Sequence, residues 1–131
     1  AVEAARKHED LIILGAPNAA RGGSHIGSIG AADMVEAGLC DVLASDYFYP
    51  AMLAAIDRLD REKRADRITL WSLISSGPAR AMKLGDRGSI IIGSRADLVL
   101  MDWTKGQTPV VEGTWIAGRA AFRVQTQKHL N

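Results

Sequence analysis

Two short apolar runs, each stopping abruptly at polar residues capable of chemistry, constrain this chain more than anything else in it. Residues 11–25 read LIILGAPNAARGGSH and residues 41–47 read DVLASDY. Such a layout fits strands buried in a parallel sheet that deliver side chains to a site at their carboxyl ends. In the second run Val42, Leu43 and Ala44 lead into Ser45, Asp46 and Tyr47, so a carboxylate stands at a strand tip rather than on a solvated helix face. Asp46 is therefore the first candidate for a functional residue.

The rest of the composition sets bounds on what those runs can do. A chain of 131 residues, 47% hydrophobic and 24% charged, is sized for one domain with a core of its own. A net charge of +1, with the basic residues scattered, argues against a nucleic-acid or membrane surface. The single cysteine, Cys40, excludes an internal disulfide and a multi-cysteine metal site. No apolar run approaches the ~18 residues of a membrane span, and no secretory signal opens the sequence, so the expected compartment is the cytoplasm. The opening VEAARKHE carries helix formers with no cap before them. That start is what a cut within a longer protein would leave.

Along the chain, helix and strand patterns alternate up to a composition shift near Gly85. Residues 2–9 read as the end of a helix, 11–14 as a strand, 31–37 as a helix stopped by Gly38, and 42–45 as the next buried strand. Pro50 suits the first turn of a helix whose apolar face is Met52, Leu53, Ile56 and Leu59, with 60–64 as its solvated end. Thr69 can cap a further helix, which Gly77 and Pro78 are expected to interrupt before 79–84 resumes it. After Gly85 the pattern turns to short strands at 89–92, 97–103, 109–116 and 119–123, with Ala117-Gly118 placed for a two-residue hairpin turn. The expected division is a β/α portion over residues 1–84, strands of a small β domain over 85–124, and a tail over 125–131. About two parallel strands cannot close a sheet that needs both faces covered, and a complete (β/α)₈ barrel takes ~250 residues. The chain reads as the last part of a larger β/α enzyme.

The blocks APN at 16–18, RGGSH at 21–25, SDY at 45–47, GPAR at 77–80, DRGSIIIGSRADLVL at 86–100 and VEGTWIAGR at 111–119 carry a resemblance. Together they resemble the C-terminal portion of the phosphonate-metabolism hydrolases of the amidohydrolase superfamily. The final stretch is shared by many amidohydrolases, whereas the RGGSH and SDY pair is more specific to the phosphonate branch. The resemblance implies an α/β fold in which this chain supplies the last two β/α units of a metal-bearing (β/α)₈ barrel, followed by part of a small β-sandwich domain. It also implies hydrolysis of α-D-ribose 1-methylphosphonate 5-triphosphate with release of pyrophosphate, a phosphorylated small-molecule substrate of the carbon-phosphorus lyase pathway.

The same resemblance matches Asp46 to the aspartate at the tip of the last barrel strand. A carboxylate there can ligate a divalent metal, zinc being the expected one, or accept a proton from the metal-bound water. On the residues alone, Asp46 fits an N-cap for the next helix better than a site, and it is the resemblance that turns the reading to the site. The segment 15–30 is the second candidate. Asn18, Arg21, Ser24, His25 and Ser28 stand there among five glycines. Backbone amides could approach phosphate oxygens while Arg21 supplies a bidentate contact, or the segment is simply a long loop. His25 fits a substrate contact or a metal ligand. Tyr47 can shape the pocket or fill space above it. Neither GxxxxGK[ST] nor GxGxxG is present, and a Ser24, His25, Asp46 triad is disfavoured because adjacent Ser and His seldom meet and no GxSxG elbow exists. Cys40 reads as a structural thiol, and Trp71, Trp103 and Trp115 as packing between helix and β module.

The superfamily's other metal ligands have no counterpart in these residues, and one carboxylate cannot hold a catalytic metal that takes three protein ligands. The expectation is a chain that is inactive and binds metal poorly by itself. Two other functions fit: an amidohydrolase acting on C–N bonds, such as a deaminase or cyclic amidase, and a truncated, non-catalytic assembly module. Apolar faces left over from absent strands favour a homo-oligomer.

Overall fold

The structure, a computed structural model, describes residues 2–8, 10–21, 30–45 and 47–124. A first helix α1 (Val2–Lys7) leads to strand β1 (Ile13–Gly15), which passes directly into helix α2 (Ala16–Arg21). Helix α3 (Ala31–Glu36) then precedes strand β2 (Val42–Ala44), and helices α4 (Ala51–Arg61), α5 (Arg67–Ser72) and α6 (Ser76–Ala81) follow. β1 and β2 are parallel, with Ile13 opposite Val42, Leu14 opposite Leu43 and Gly15 opposite Ala44. Parallel strands need a long crossover, and α2 and α3 form part of it.

The remaining strands, β3 (Leu98–Asp102), β4 (Val110–Ile116) and β5 (Arg119–Arg123), make a separate antiparallel sheet in the order β3-β4-β5. β4 and β5 are joined at Ala117 and Gly118, whose φ values of 48° and 77° are both positive, as a type I′ turn requires. The Asp97 carboxylate accepts a hydrogen bond from the Ala117 amide at 2.8 Å and so ties that turn to the start of β3.

The core gathers around α4, which packs on α2 and α5, with Leu43 of β2 in the same buried cluster. Ala51, Ala55, Ile56 and Leu59 recur at helical spacing on α4 and are buried together with Leu43, Leu70 and Leu73. Burial of each of Leu43, Ile56, Leu59 and Leu70 stabilises the fold by about 1.5–3 kcal/mol relative to exposure. Pro50 lies at the N-cap of α4 with φ −64°, one place before the first turn, where its missing N–H leaves no helical bond unmade.

Several elements differ from the sequence expectation, each for a physical reason. Residues 16–21 are helical rather than part of a glycine-rich loop. Pro17 falls in the first turn, where no N–H is required, and Ala16 and Ala19 are buried in the core that α4 anchors. Asp66, not Thr69, caps α5: its carboxylate accepts from the Ile68 and Thr69 amides at 2.9 and 3.0 Å, while the Thr69 hydroxyl donates to it at 2.7 Å. Gly77 and Pro78 lie inside α6 instead of breaking it, because Pro78 occupies the first turn; the break comes earlier, at Leu73, Ile74 and Ser75. Residues 89–92 form no strand. An apolar run becomes a strand only where a ladder partner exists, and Ile90 is 89% exposed with no partner in either sheet.

Candidate active site at the carboxyl ends of the parallel strands

Because β1 and β2 run the same way, the residues that follow both emerge on one side of the pair. Gly15 hands over to α2, which carries Asn18 and Arg21; Ala44 hands over to Ser45 and then to Tyr47, Phe48 and Tyr49. Asp46, Ser24, His25 and Ser28 lie outside the described residues. Asn18 is exposed, and its Nδ2 lies 3.6 Å from where a Cβ on Gly15 would be, so its amide folds back over the end of β1.

Arg21 and Tyr47, 26 positions apart in sequence, line one cleft of about 200 Å³. Pro17, Ala20 and Arg21 come from α2, Tyr47 and Phe48 from the segment after β2, and Ala51 and Ala54 from the start of α4. Tyr47 is 83% exposed, so it stands at the rim rather than filling the interior. The segment from β2 to α4 is held by successive backbone bonds, Phe48 N–H to Ser45 O at 3.1 Å and Ala51 N–H to Phe48 O at 3.0 Å. α2 and α4 pack together, with Ala16, Ala19, Ala51 and Ala55 all buried and nothing larger than a methyl on these positions.

Arg58, which sequence reasoning missed, fastens the C-terminal end of α2. Its Nη1 donates to the Ala20 carbonyl at 3.3 Å and its Nε to Glu62 at 2.6 Å. The last carbonyls of a helix have no intrahelical donor, so a guanidinium from a neighbouring helix meets a need that α2 cannot meet itself. The signal in the sequence is faint: Arg58 adjoins the buried Leu59 and follows the buried Ala55 by three positions, which puts it on the flank of the apolar face.

The opposite end of the strand pair is built for stability. Asp41, just before β2, accepts from the Ile12 amide at 2.9 Å and pairs with Arg6 at 2.9 Å and Arg80 at 3.5 Å. Partial burial works against its ionised form, but the Ile12 amide and the hydrogen bond and charge of Arg6, with Arg80 behind, outweigh it and hold the carboxyl below its ordinary value. Next to it, burial pushes the Cys40 thiol up to about 11, and its Sγ donates to the Val42 carbonyl at 3.4 Å. A thiol so far from ionisation is no nucleophile at neutral pH.

The tryptophans divide. Trp103 packs against the core under Arg67, whose guanidinium lies 4.7 Å from the ring centroid and donates to the Trp103 carbonyl. Trp71 also packs against that core. Trp115 instead covers Gly113 on its own sheet, where a Cβ would lie 2.7 Å from the ring. Among the described residues, no three His, Cys, Asp or Glu side chains gather closely enough to hold a metal ion. The described residues therefore do not make a metal centre on their own. Nor, among them, is any helix long and apolar enough to cross a membrane.

The model of the amidohydrolase family matches residues 14–122, and the chain belongs to that family. Over 125 residues it is 40% identical to the alpha-D-ribose 1-methylphosphonate 5-triphosphate diphosphatase of Escherichia coli (strain K12), an alignment covering 93% of this chain and 32% of that protein. The crystal structure of an amidohydrolase from Thermotoga maritima MSB8 superposes with a TM-score of 0.72 at 21% identity, over 94% of this chain and 34% of the other. The fold is thus amidohydrolase-like α/β. The chain spans about a third of the length of both relatives.

Proposed function

We propose that this chain is the C-terminal part of a hydrolase of phosphonate metabolism that releases pyrophosphate from α-D-ribose 1-methylphosphonate 5-triphosphate. The observation that carries this reading is the 40% identity, sustained over 93% of the chain, to the diphosphatase from Escherichia coli. In this reading β1 and β2 with their helices are the last two β/α units of a (β/α)₈ barrel within residues 1–84, residues 85–124 supply strands of a small β-sandwich domain, and 125–131 form a tail.

Asp46 is the carboxylate that this chain contributes to the reaction. It follows β2 by two positions, where a barrel of this kind presents its chemistry. A divalent metal, zinc by expectation, would supply an activated water, and its remaining ligands would come from beyond this chain. Arg21 and Tyr47 contact the substrate from the cleft, Asn18 from the end of β1, and Ser24 and His25 from the segment between α2 and α3. In this reading Asp46 is the one metal ligand assigned to the chain, the described residues gather no three candidate ligands, and the chain alone is inactive. Exposed apolar side chains, among them Ile90, Leu100, Val110 and Phe122, support association with further copies, and the working compartment is the cytoplasm.

The test is the intact mass and metal content of the source protein, followed by ³¹P NMR of its reaction with the triphosphate substrate. A mass several-fold above 14.1 kDa, bound divalent metal and the appearance of pyrophosphate are expected. A protein of 14.1 kDa that leaves the triphosphate intact contradicts the proposal and favours an assembly module. Hydrolysis of an amide or ring C–N bond in its place makes it another kind of amidohydrolase.

A further inference from the structure

We propose that the cleft between α2 and α4 is the subsite for the alkylphosphonate end of the substrate and not for its triphosphate. The inference rests on the reaction proposed above and adds which end of the substrate lies where.

Charge is the first argument. A phosphonate that carries an alkyl group and one ester bond has a single ionisable oxygen, hence one negative charge, whereas a triphosphate carries several. The cleft lining holds one cation, Arg21, and among the described residues no carboxylate pairs with it. The arginines of α4 and α5 are otherwise disposed: Arg58 is engaged by Glu62, Arg61 by Asp57 and Arg67 by Asp60. One guanidinium with no carboxylate partner among the described residues matches one charge, and its fork can take both unesterified oxygens of a phosphonate at once.

The walls are the second argument. Pro17, Phe48, Ala51 and Ala54 line the cleft with carbon, which offers nothing to phosphate oxygens but suits an alkyl group. A volume of about 200 Å³ accommodates a group of a few heavy atoms beside Arg21. The Tyr47 hydroxyl on the same rim is a further hydrogen-bond donor. The third argument is rigidity, because a small anion is recognised only by donors that stay in place. Arg58 pins the carbonyl of Ala20, the residue before Arg21, and the floor is part of α4, whose buried face belongs to the core.

The experiment titrates the full chain with the monoethyl ester of methylphosphonate, with inorganic phosphate and with inorganic tripolyphosphate, following backbone amides by NMR. The expected result is that the ester shifts the amides of Ala20, Arg21, Phe48 and Ala51 and binds at least about fourfold more tightly than phosphate, the worth of one buried methyl group. Arg21→Gln should weaken the ester at least tenfold. Phe48→Ala should erase its preference over phosphate while phosphate still binds. Tighter binding of tripolyphosphate at the same amides, or a preference untouched by Phe48→Ala, overturns the subsite. Pyrophosphate release by the intact enzyme is a separate readout: its absence with ester binding intact overturns the reaction and leaves the subsite, whereas release whose KM is unchanged by both substitutions overturns the subsite and leaves the reaction.

Discussion

Gly77 on α6 approaches Asp41, just before β2, so closely that a Cβ on Gly77 would lie 2.2 Å from the Asp41 carbonyl oxygen and 2.8 Å from that of Ser72. Both obstacles are backbone, so no side chain can swing aside. Gly77→Ala should therefore push α6 off β2 and cost about 1–3 kcal/mol, at the upper end of that range. Urea unfolding of the two proteins measures the difference, and an equal midpoint would show that α6 does not seat on β2 as described.

Asp41 itself makes stability depend on acid. Its carboxyl is held below the ordinary 3.8 in the folded chain, so the unfolded chain binds the proton more readily. The stabilisation is fully present above pH 3.8 and drains away as the pH falls through the lower folded value. Asp41→Ala should lower stability at neutral pH by about 1–3 kcal/mol, leaving the Ile12 amide without its acceptor and Arg6 without its carboxylate, and should flatten the acid limb of the stability curve. Melting temperatures recorded between pH 2 and pH 7 read both effects. Parallel curves for the two proteins would remove Asp41 from the account.

Arg58 gives a local prediction. Its bond to the Ala20 carbonyl contributes about 0.5–1.5 kcal/mol, most of it spent on the end of one short helix. Arg58→Ala should speed amide exchange in α2 severalfold and leave α5 and α6 as they were. Uniform acceleration through all the helices would mean that Arg58 supports the core at large.

Much of this architecture is legible in the residues, for reasons that also explain the rest. The strand at 42–44 announces itself because burial of Val42 and Leu43 demands a continuous apolar run, the strand at 13–15 shares that apolar pattern although Ile13 is 55% exposed, and the hairpin shows in Gly118, which takes the positive φ the turn needs. What escapes is whatever depends on a partner far along the chain. Ile90, Ile91 and Ile92 have the composition of a strand but no neighbour to pair with, and no local pattern can reveal that. Residues 16–21 look like loop beside so many glycines, yet the packing of α2 on α4 makes them helix. Arg58 reaches Ala20 across 38 positions, and only folding brings the two together. Of the candidate site, Arg21 and Tyr47 stand out by type and position, and they line the same cleft; Phe48 and the α4 alanines become visible only as its walls.

The most direct test of the central claim is pyrophosphate release from α-D-ribose 1-methylphosphonate 5-triphosphate by the intact enzyme carrying this chain, comparing wild type with Asp46→Asn. Removing a carboxylate that accepts a proton or holds a metal at the reacting centre should lower kcat by about 10²–10⁴-fold while the protein melts at the same temperature. An Asp46→Asn enzyme that releases pyrophosphate at the wild-type rate would contradict the claim that this strand tip carries the chemistry.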